Sequence, residues 1–499
     1  MSNHLYDGLL AGRESDSRNL FQIPLHRSWS YAEVIALSGS FANLLVETGV
    51  KPGDRVAAQI DKSVEGIALY LATIRAGAVF LPLNIAYTKA EIAYFVEDAE
   101  PALLVCDSSR EAQLGELVAA VGGAMRTLDA DGSGTLIDDA LCFDSEFENI
   151  NREARDLAAI LYTSGTTGLS KGAMLSHDNL LSNAITLADY WQFEANDLLL
   201  HALPIFHTHG LFVAINTSMV VGSSMIFMAR FDIDIVIQQL PRATTMMAVP
   251  TFYTRLLAHE DFNRELVSHM RLFTSGSAPL LAETHLQFEQ VTGQRILERY
   301  GMTETNMNTS NPYQGERRAG TVGLALPGIE IRICDTQTGV EMPQGETGMI
   351  EVRGPNVFLG YWRKPEKTAA EFRDDGFFIS GDLGLLDADG YLHIVGREKD
   401  LIISSGYNIY PKEIEVEIDT LDGVIESAVF GISNIDRGEL VAAAVVLDAG
   451  SDWSETSIFQ ALKPVLAGFK LPRKVFFVEA LPRNAMGKVQ KNILREIYG

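Results

Sequence analysis

Tyr162-Thr163-Ser164-Gly165-Thr166-Thr167-Gly168-Leu169-Ser170-Lys171-Gly172 is the stretch that decides how the rest of the chain reads. It follows an apolar run, residues 157–161, that has the length of a buried strand. Its glycines allow tight turns and a close approach of the backbone to a ligand. Main-chain N–H groups and hydroxyls can then donate to phosphate oxygens, and Lys171 brings a mobile positive charge. A flexible Ser/Gly linker shares this composition, so the stretch alone leaves both readings open. It is not a Walker loop, because no glycine directly precedes Lys171, and it lacks the GxGxxG of a dinucleotide site.

Outward from this loop, helical and strand patterns alternate. Residues 31–50, 64–76 and 91–99 read as helices, and 55–59, 78–82 and 103–106 as strands. Such a βα rhythm predicts a mostly parallel sheet with helices on its faces. From about residue 321 the pattern changes to short strands with Gly-rich turns at 330–334, 348–353, 377–379 and 391–395. A βα pattern resumes with a helix at 413–419, strands at 425–431 and 440–447, and a helix at 454–466. The expected fold is α/β: a large N-terminal domain of helix-covered, mostly parallel sheets plus a small β-rich layer, and a small mobile α+β C-terminal domain. The expected divisions are 1–396, a hinge at 397–401, and 402–499.

Composition excludes several classes. The 499 residues are too many for one ordinary core, and 47% hydrophobic with 21% charged is globular rather than disordered. A net charge of −25 makes the chain a poor polyanion binder, which argues against nucleic acid as a partner. The three cysteines, Cys106, Cys142 and Cys334, fit neither a disulfide framework nor a zinc site and suit a reducing compartment. The first residues lack a signal-peptide pattern, and the longest apolar stretch, 66–87, is interrupted by Arg75 and Pro82. The expectation is a cytoplasmic protein with no membrane partner.

The phosphate loop resembles the signature of the adenylate-forming superfamily of acyl-CoA synthetases, luciferases and peptide-synthetase adenylation domains. Further motifs follow in family order. Tyr300-Gly301-Met302-Thr303-Glu304 resembles the aromatic-Gly-x-Thr-Glu motif, and Ile379-Ser380-Gly381-Asp382 the ribose-binding segment. Gly396-Arg397-Glu398-Lys399-Asp400 resembles the hinge, and the segment from Pro482 to Lys488 the C-terminal lysine loop. The resemblance implies a two-step reaction in which a carboxylate attacks the α-phosphate of ATP and a thiol, coenzyme A, then attacks the acyl-adenylate.

It also implies roles. Thr163, Ser164, Gly165, Thr166, Thr167, Gly168 and Lys171 would hold the phosphates. Gly276, Ser277 and Ala278, with Glu298, Arg299 and Tyr300, would line the nucleotide, Asp382 would take the ribose, and Arg397 would reach the same ribose or the phosphates. Glu304 and Thr163 would hold Mg²⁺, Thr303 would bond the α-phosphate, and His207 would join the catalytic set. Lys488 would bridge the substrate carboxylate and the α-phosphate, neutralising their repulsion. Lys399 would be the hinge on which the C-terminal domain swings between two active conformations. Ser405, Gly406 and Tyr407 would line the thiol channel. An exposed Lys488 would also be open to a protein lysine acetyltransferase and deacetylase.

The family's acyl pocket corresponds to Pro204-Ile205-Phe206-His207-Thr208-His209-Gly210, Val249-Pro250-Thr251-Phe252-Tyr253-Thr254-Arg255, the Ser277 loop and residues 301–308. A fatty or aryl acid would want these apolar. Instead they offer Arg255, Ser277, Thr208 and His209, with Met302 nearby. Arginine in a pocket wants a carboxylate, which implies a small dicarboxylic acid; Arg255 on a solvated helix face is the plainer alternative. The pattern resembles bacterial malonyl-CoA synthetases, including those accepting methylmalonate. Because the chain stops eleven residues after Lys488, a peptide-synthetase module is disfavoured. A ligase for acetate, propionate or succinate, and a non-catalytic nucleotide sensor, are the competing readings.

Overall fold

A computed structural model describes residues 2–163, 170–404, 407–434, 438–484 and 487–499. The contacts divide the chain into a first unit, Met1–Glu330 with Arg353–Gly376, and a second, Ile331–Val352 with Phe377–Gly499.

Two sheets form the first unit. One runs, in spatial order, Ala124–Thr127, Leu103–Cys106, Arg55–Gln59, Val79–Pro82, Leu157–Thr163 and Lys171–Ser176. All neighbours are parallel except the last pair. Val79–Pro82 and Leu103–Cys106 are buried at every position, as strands covered on both faces must be. The covering helices begin where a hydroxyl can accept an orphan backbone N–H: Ser63 caps Val64–Arg75 and Thr88 caps Lys89–Ala99.

The other sheet has nine strands: Leu324–Ala325, Asn306–Ser310, Leu297–Met302, Leu272–Ser275, Thr245–Ala248, Leu198–His201, Ser224–Phe227, Asn19–Gln22 and Ser28–Ser30. Its central six are parallel. Beneath it, Tyr253, Phe273 and Phe288 meet edge-to-face at centroid distances of 5.0–6.5 Å. Because Leu198–His201, Thr245–Ala248, Leu272–Ser275 and Leu297–Met302 are parallel neighbours, the segments after them emerge along one edge. Ligands of open α/β sheets bind at such carboxyl-terminal edges.

The second unit carries the antiparallel layer Glu330–Cys334, Gly348–Arg353, Phe378–Leu386 and Leu392–Arg397. A further sheet runs Tyr407–Ile409, Ile402–Ser404, Gly438–Leu447 and Val424–Asn434, with Lys474–Phe477 parallel to Gly438–Leu447. Alternation separates its two faces: Val429 joins the core with Ile402, Ile414 and Ile418, while Ala428 and Phe430 pack with Leu481 and Leu494. The expected hinge falls within this unit, at the single turn Glu398–Asp400.

The α/β class and most expected elements stand. Several boundaries differ by a few residues, two of them most. The strand expected at 377–379 runs on as Phe378–Leu386, because it pairs with strands on both sides. The helix expected over 454–466 stops at Leu462, since Pro464 has no N–H for the carbonyl of Gln460. Among the described residues, no helix is long and apolar enough to cross a membrane.

Trp191 ties the end of helix His177–Tyr190 to the nine-stranded sheet. It is fully buried, and its indole N–H donates to Ser310 Oγ at 2.9 Å. Trp191→Ala should lower unfolding stability by about 3–5 kcal/mol, read as a fall in the urea midpoint. A loss below about 1 kcal/mol would contradict this anchoring role.

Candidate active site

The carboxyl-terminal edge of the nine-stranded sheet gathers most of the first unit's expected site residues. After Leu198–His201 come His207, Thr208 and His209, then a π-helix, His209–Asn216. After Thr245–Ala248 comes the helix Pro250–Leu257, with Arg255 exposed and its guanidinium carbon 5.8 Å from the Phe231 ring. After Leu272–Ser275 come Gly276, Ser277 and Ala278. Glu298, Arg299, Tyr300 and Met302 lie on Leu297–Met302, and the turn into Asn306–Ser310 carries Thr303 and Glu304.

Ser277 has a φ of 71°, the left-handed region that side chains avoid. The conformation puts its Oγ 3.2 Å from His209 Nδ1. His209 is 1% exposed. Burial, followed by the nearby Arg299, His207 and His201, holds its pKa well below the ordinary histidine value, so the ring is neutral. If the Ser277 hydroxyl donates to Nδ1, the proton sits on Nε2, a buried atom with no partner in the structure.

Arg299 is 3% exposed, and burial pushes its pKa down to about 9, so it remains charged at neutral pH. Gly276 makes room for it: a Cβ there would lie 2.4 Å from the guanidinium carbon. Among the described residues, Arg299 Nε and Nη2 have no hydrogen-bond partner, and neither does the buried Thr208 hydroxyl. Buried donors without acceptors cost roughly 1–3 kcal/mol each, more when charged. The segments emerging from this edge thus hold several unanswered polar groups of the kind a polar, anionic ligand satisfies.

Thr163 and Glu304, which lie on different sheets, come together: Thr163 Oγ1 is 3.3 Å from Glu304 Oε1. Glu304 is 6% exposed. Tyr361, which the sequence did not single out, places its hydroxyl 3.2 Å from Glu304 Oε1 and donates to Glu371 Oε2 at 2.6 Å. Glu371 also takes Lys171 Nζ at 3.1 Å and Lys367 Nζ at 2.9 Å. Lys171 lies 4.3 Å from the Tyr361 ring centroid. The apparently mobile lysine of the phosphate loop is therefore held in an ion pair. Among the described residues, no three His, Cys, Asp or Glu converge on a metal site.

In the second unit, Asp382 and Arg397 are cross-strand partners, with Arg397 Nε 2.6 Å from Asp382 Oδ1. Lys399 follows, its pKa lowered by burial, in a turn tied to the C-terminal helix by Arg495–Asp400 at 2.9 Å. The Lys488 loop is closed by Asn484, which accepts from the Lys488 N–H at 3.0 Å, and by Arg483, which bonds the Gly487 carbonyl and pairs with Glu426. Ser164, Gly165, Thr166, Thr167, Gly168, Ser405 and Gly406 lie outside the described residues, as does the Tyr407 side chain.

Residues 11–362 match the family model described as AMP-binding enzyme, and 413–488 match its C-terminal domain. The chain belongs to the AMP-binding enzyme family. An ATP-bound crystal structure of MatB from Rhodopseudomonas palustris is 56% identical over 100% of this chain and 99% of that one, with a TM-score of 0.98. Malonate–CoA ligase from Arabidopsis thaliana is 34% identical over 90% of this chain and 78% of the relative. Long-chain-fatty-acid–CoA ligase from Bacillus subtilis is 31% identical over 94% and 90%. This AMP-binding enzyme is an AMP-forming acyl-CoA synthetase, which uses ATP to join a carboxylic acid to coenzyme A through an acyl-adenylate.

The Glu371 network predicts an asymmetry in stability. Burial acts to raise the Glu371 pKa, but hydrogen bonds from Tyr361, Lys367 and Lys171 outweigh it and leave it lowered. Its contribution is therefore present at neutral pH and is lost as pH falls through its folded-state pKa. Glu371→Gln strands Lys171 and should cost about 1–3 kcal/mol. Lys171→Met leaves Glu371 paired with Lys367 and should cost less. Chemical denaturation of both variants at pH 7 checks the order, and an equal or reversed cost contradicts it.

Proposed function

We propose that this acyl-CoA synthetase acts on malonate and methylmalonate. The observation that carries the reading is the buried Arg299 guanidinium beneath Gly276, with two nitrogens unpartnered among the described residues and with His209, which meets Ser277, close enough to feel its charge. A buried charge needs a counter-charge. The reacting carboxylate is engaged at the α-phosphate, so a second carboxylate on the same small acid meets this need. A fatty or aryl chain would leave Arg299 uncompensated. Arg255, on the exposed helix face, is the second arginine available to that carboxylate, and Thr208 and Met302 would flank C2. The malonate named for the Arabidopsis relative supports the choice, while the fatty acid of the Bacillus relative shows that family membership alone does not make it.

Glu304 and Thr163 offer hard oxygen donors of the kind Mg²⁺ takes alongside substrate phosphates; when bound, the ion would neutralise triphosphate charge. Asp382 and Arg397 would take the ribose, and Lys488 would bring the two anions together. The division into residues 1–396 and 402–499 about Lys399 would allow Lys488 to be exchanged for the thiol channel between the two half-reactions. Acetylation of Lys488 would abolish the first step. A cytoplasmic location suits an enzyme fed by soluble acid, ATP and coenzyme A.

A panel of acids with pyrophosphate release as readout tests the substrate. Malonate and methylmalonate should exceed acetate, propionate and succinate. Arg299→Met should lower kcat/KM for malonate by at least about a hundredfold, on the order of a lost charge-assisted bond plus its stranded partner. Arg255→Ala should cost about tenfold. Neither should alter the KM for ATP by more than about twofold. Acetate turnover equal to that of malonate, or an intact Arg299→Met enzyme, would overturn the assignment.

The two half-reactions can be separated. Lys488→Ala should stop pyrophosphate release yet still convert supplied malonyl-adenylate and coenzyme A to malonyl-CoA. Lys399→Pro, which fixes φ near −65°, should retain adenylation and lose thioester formation. Single-turnover assays in which both variants fail at the same step would refute alternation about Lys399.

A further inference from the structure

Lys62 lies between strand Arg55–Gln59 and helix Val64–Arg75, on the side of the six-stranded sheet, yet its amine reaches the end of a strand in the other sheet. Its Nζ is 2.6 Å from His201 Nδ1 and 2.9 Å from the His201 carbonyl oxygen, and 4.3 Å from the Phe227 ring centroid. Among the described residues it has no carboxylate partner. His201 is fully buried, and its Nε2 lies 2.8 Å from the carbonyl oxygen of Gly210.

These contacts fix the ring's tautomer. A carbonyl only accepts, so Nε2 carries the proton and donates to Gly210. Nδ1 is then bare and accepts from Lys62, whose amine has an N–H to give whether charged or neutral. Gly210 is constrained from a second side, since a Cβ there would lie 2.0 Å from the Pro204 carbonyl oxygen. Gly210 directly follows Thr208 and His209 in the first turn of the π-helix.

We propose that Lys62 is a positioning residue for the acyl-binding turn. It holds His201 as the Nε2–H tautomer, His201 holds Gly210, and Gly210 sets the place of Thr208 and His209 against Ser277. This rests on the reading that Thr208 and His209 meet the acid. It needs no particular acid, so the test uses whichever acid the panel ranks first.

A double-mutant cycle on the full-length enzyme provides that test. Lys62→Met keeps the aliphatic stem against Phe227 and removes the donor. It should raise the KM for the acid about tenfold while kcat and the KM for ATP stay within about twofold. His201→Phe should raise the acid KM by at least as much. In the His201→Phe background, Lys62→Met should add less than about twofold, because the imidazole through which it reaches Gly210 is already gone while its bond to the residue-201 carbonyl does not bear on Gly210. Thermal unfolding of each variant separates a general loss of stability from this pattern. Parallel rises in both KM values, an unchanged acid KM, or a full Lys62→Met effect without His201 would each overturn the relay. A failed malonate assignment would leave it standing.

Discussion

A positive charge that meets no counter-charge among the described residues lies at the edge of the nine-stranded sheet, and the surrounding structure is arranged to keep it there. Arg299 is on a central parallel strand, where a side chain has little freedom to escape to water. Gly276, on the segment after the neighbouring strand, gives up a side chain to accommodate the guanidinium. Ser277, next along, adopts a left-handed backbone conformation that costs on the order of 1–3 kcal/mol, and its hydroxyl meets His209. The ligand-free edge thus combines an unbalanced charge, unpartnered donors and local strain. Folding tolerates these because the sheet beneath them is buried and continuous, with Tyr253, Phe273 and Phe288 interlocked below.

The residues proposed to meet the phosphates are organised in the opposite way, through internal neutralisation. Glu304, Tyr361, Glu371, Lys171 and Lys367 form a chain in which each charge meets a partner. On the proposed assignment, an incoming triphosphate would exchange one set of partners for another, while an acid at Arg299 would add partners outright. That contrast assigns different thermodynamic characters to the two substrates: exchange for the nucleotide and completion for the acid.

Much of this was legible in the sequence because the informative features are local. The motifs that mark the family and the alternation of apolar runs depend on near neighbours, and strands such as Arg55–Gln59 and Leu103–Cys106 fall where their patterns placed them. Burial across strands was not legible. Arg299 read as part of a nucleotide motif, and Arg255 as the pocket cation. Packing puts Arg255 on an exposed helix face and Arg299 against Gly276, a relation between residues more than twenty apart. Tyr361 and Glu371 escaped notice for the same reason, since they meet Glu304 and Lys171 only after the chain returns from distant segments. The signal for Arg299 was present, as one of two adjacent charged residues, with Glu298, within a short strand following a glycine-bearing loop. Recognising it required knowing which strands are neighbours.

The π-helix after His209 bears on how the acid specificity of such an enzyme could drift. A π-turn closes its hydrogen bond one residue further along than an α-turn and so accommodates an extra residue per turn. His209–Asn216 runs directly into the α-helix Thr217–Val221. Losing one residue in this segment would let it rewind as an α-helix without moving that anchor, and Thr208, just before it, and His209, its first residue, would rotate relative to Ser277. A single-codon deletion could therefore re-aim at once two side chains that the proposed function assigns to the acid. Point substitutions reach that outcome only in several steps, so length variation here is a short evolutionary path to a new acid.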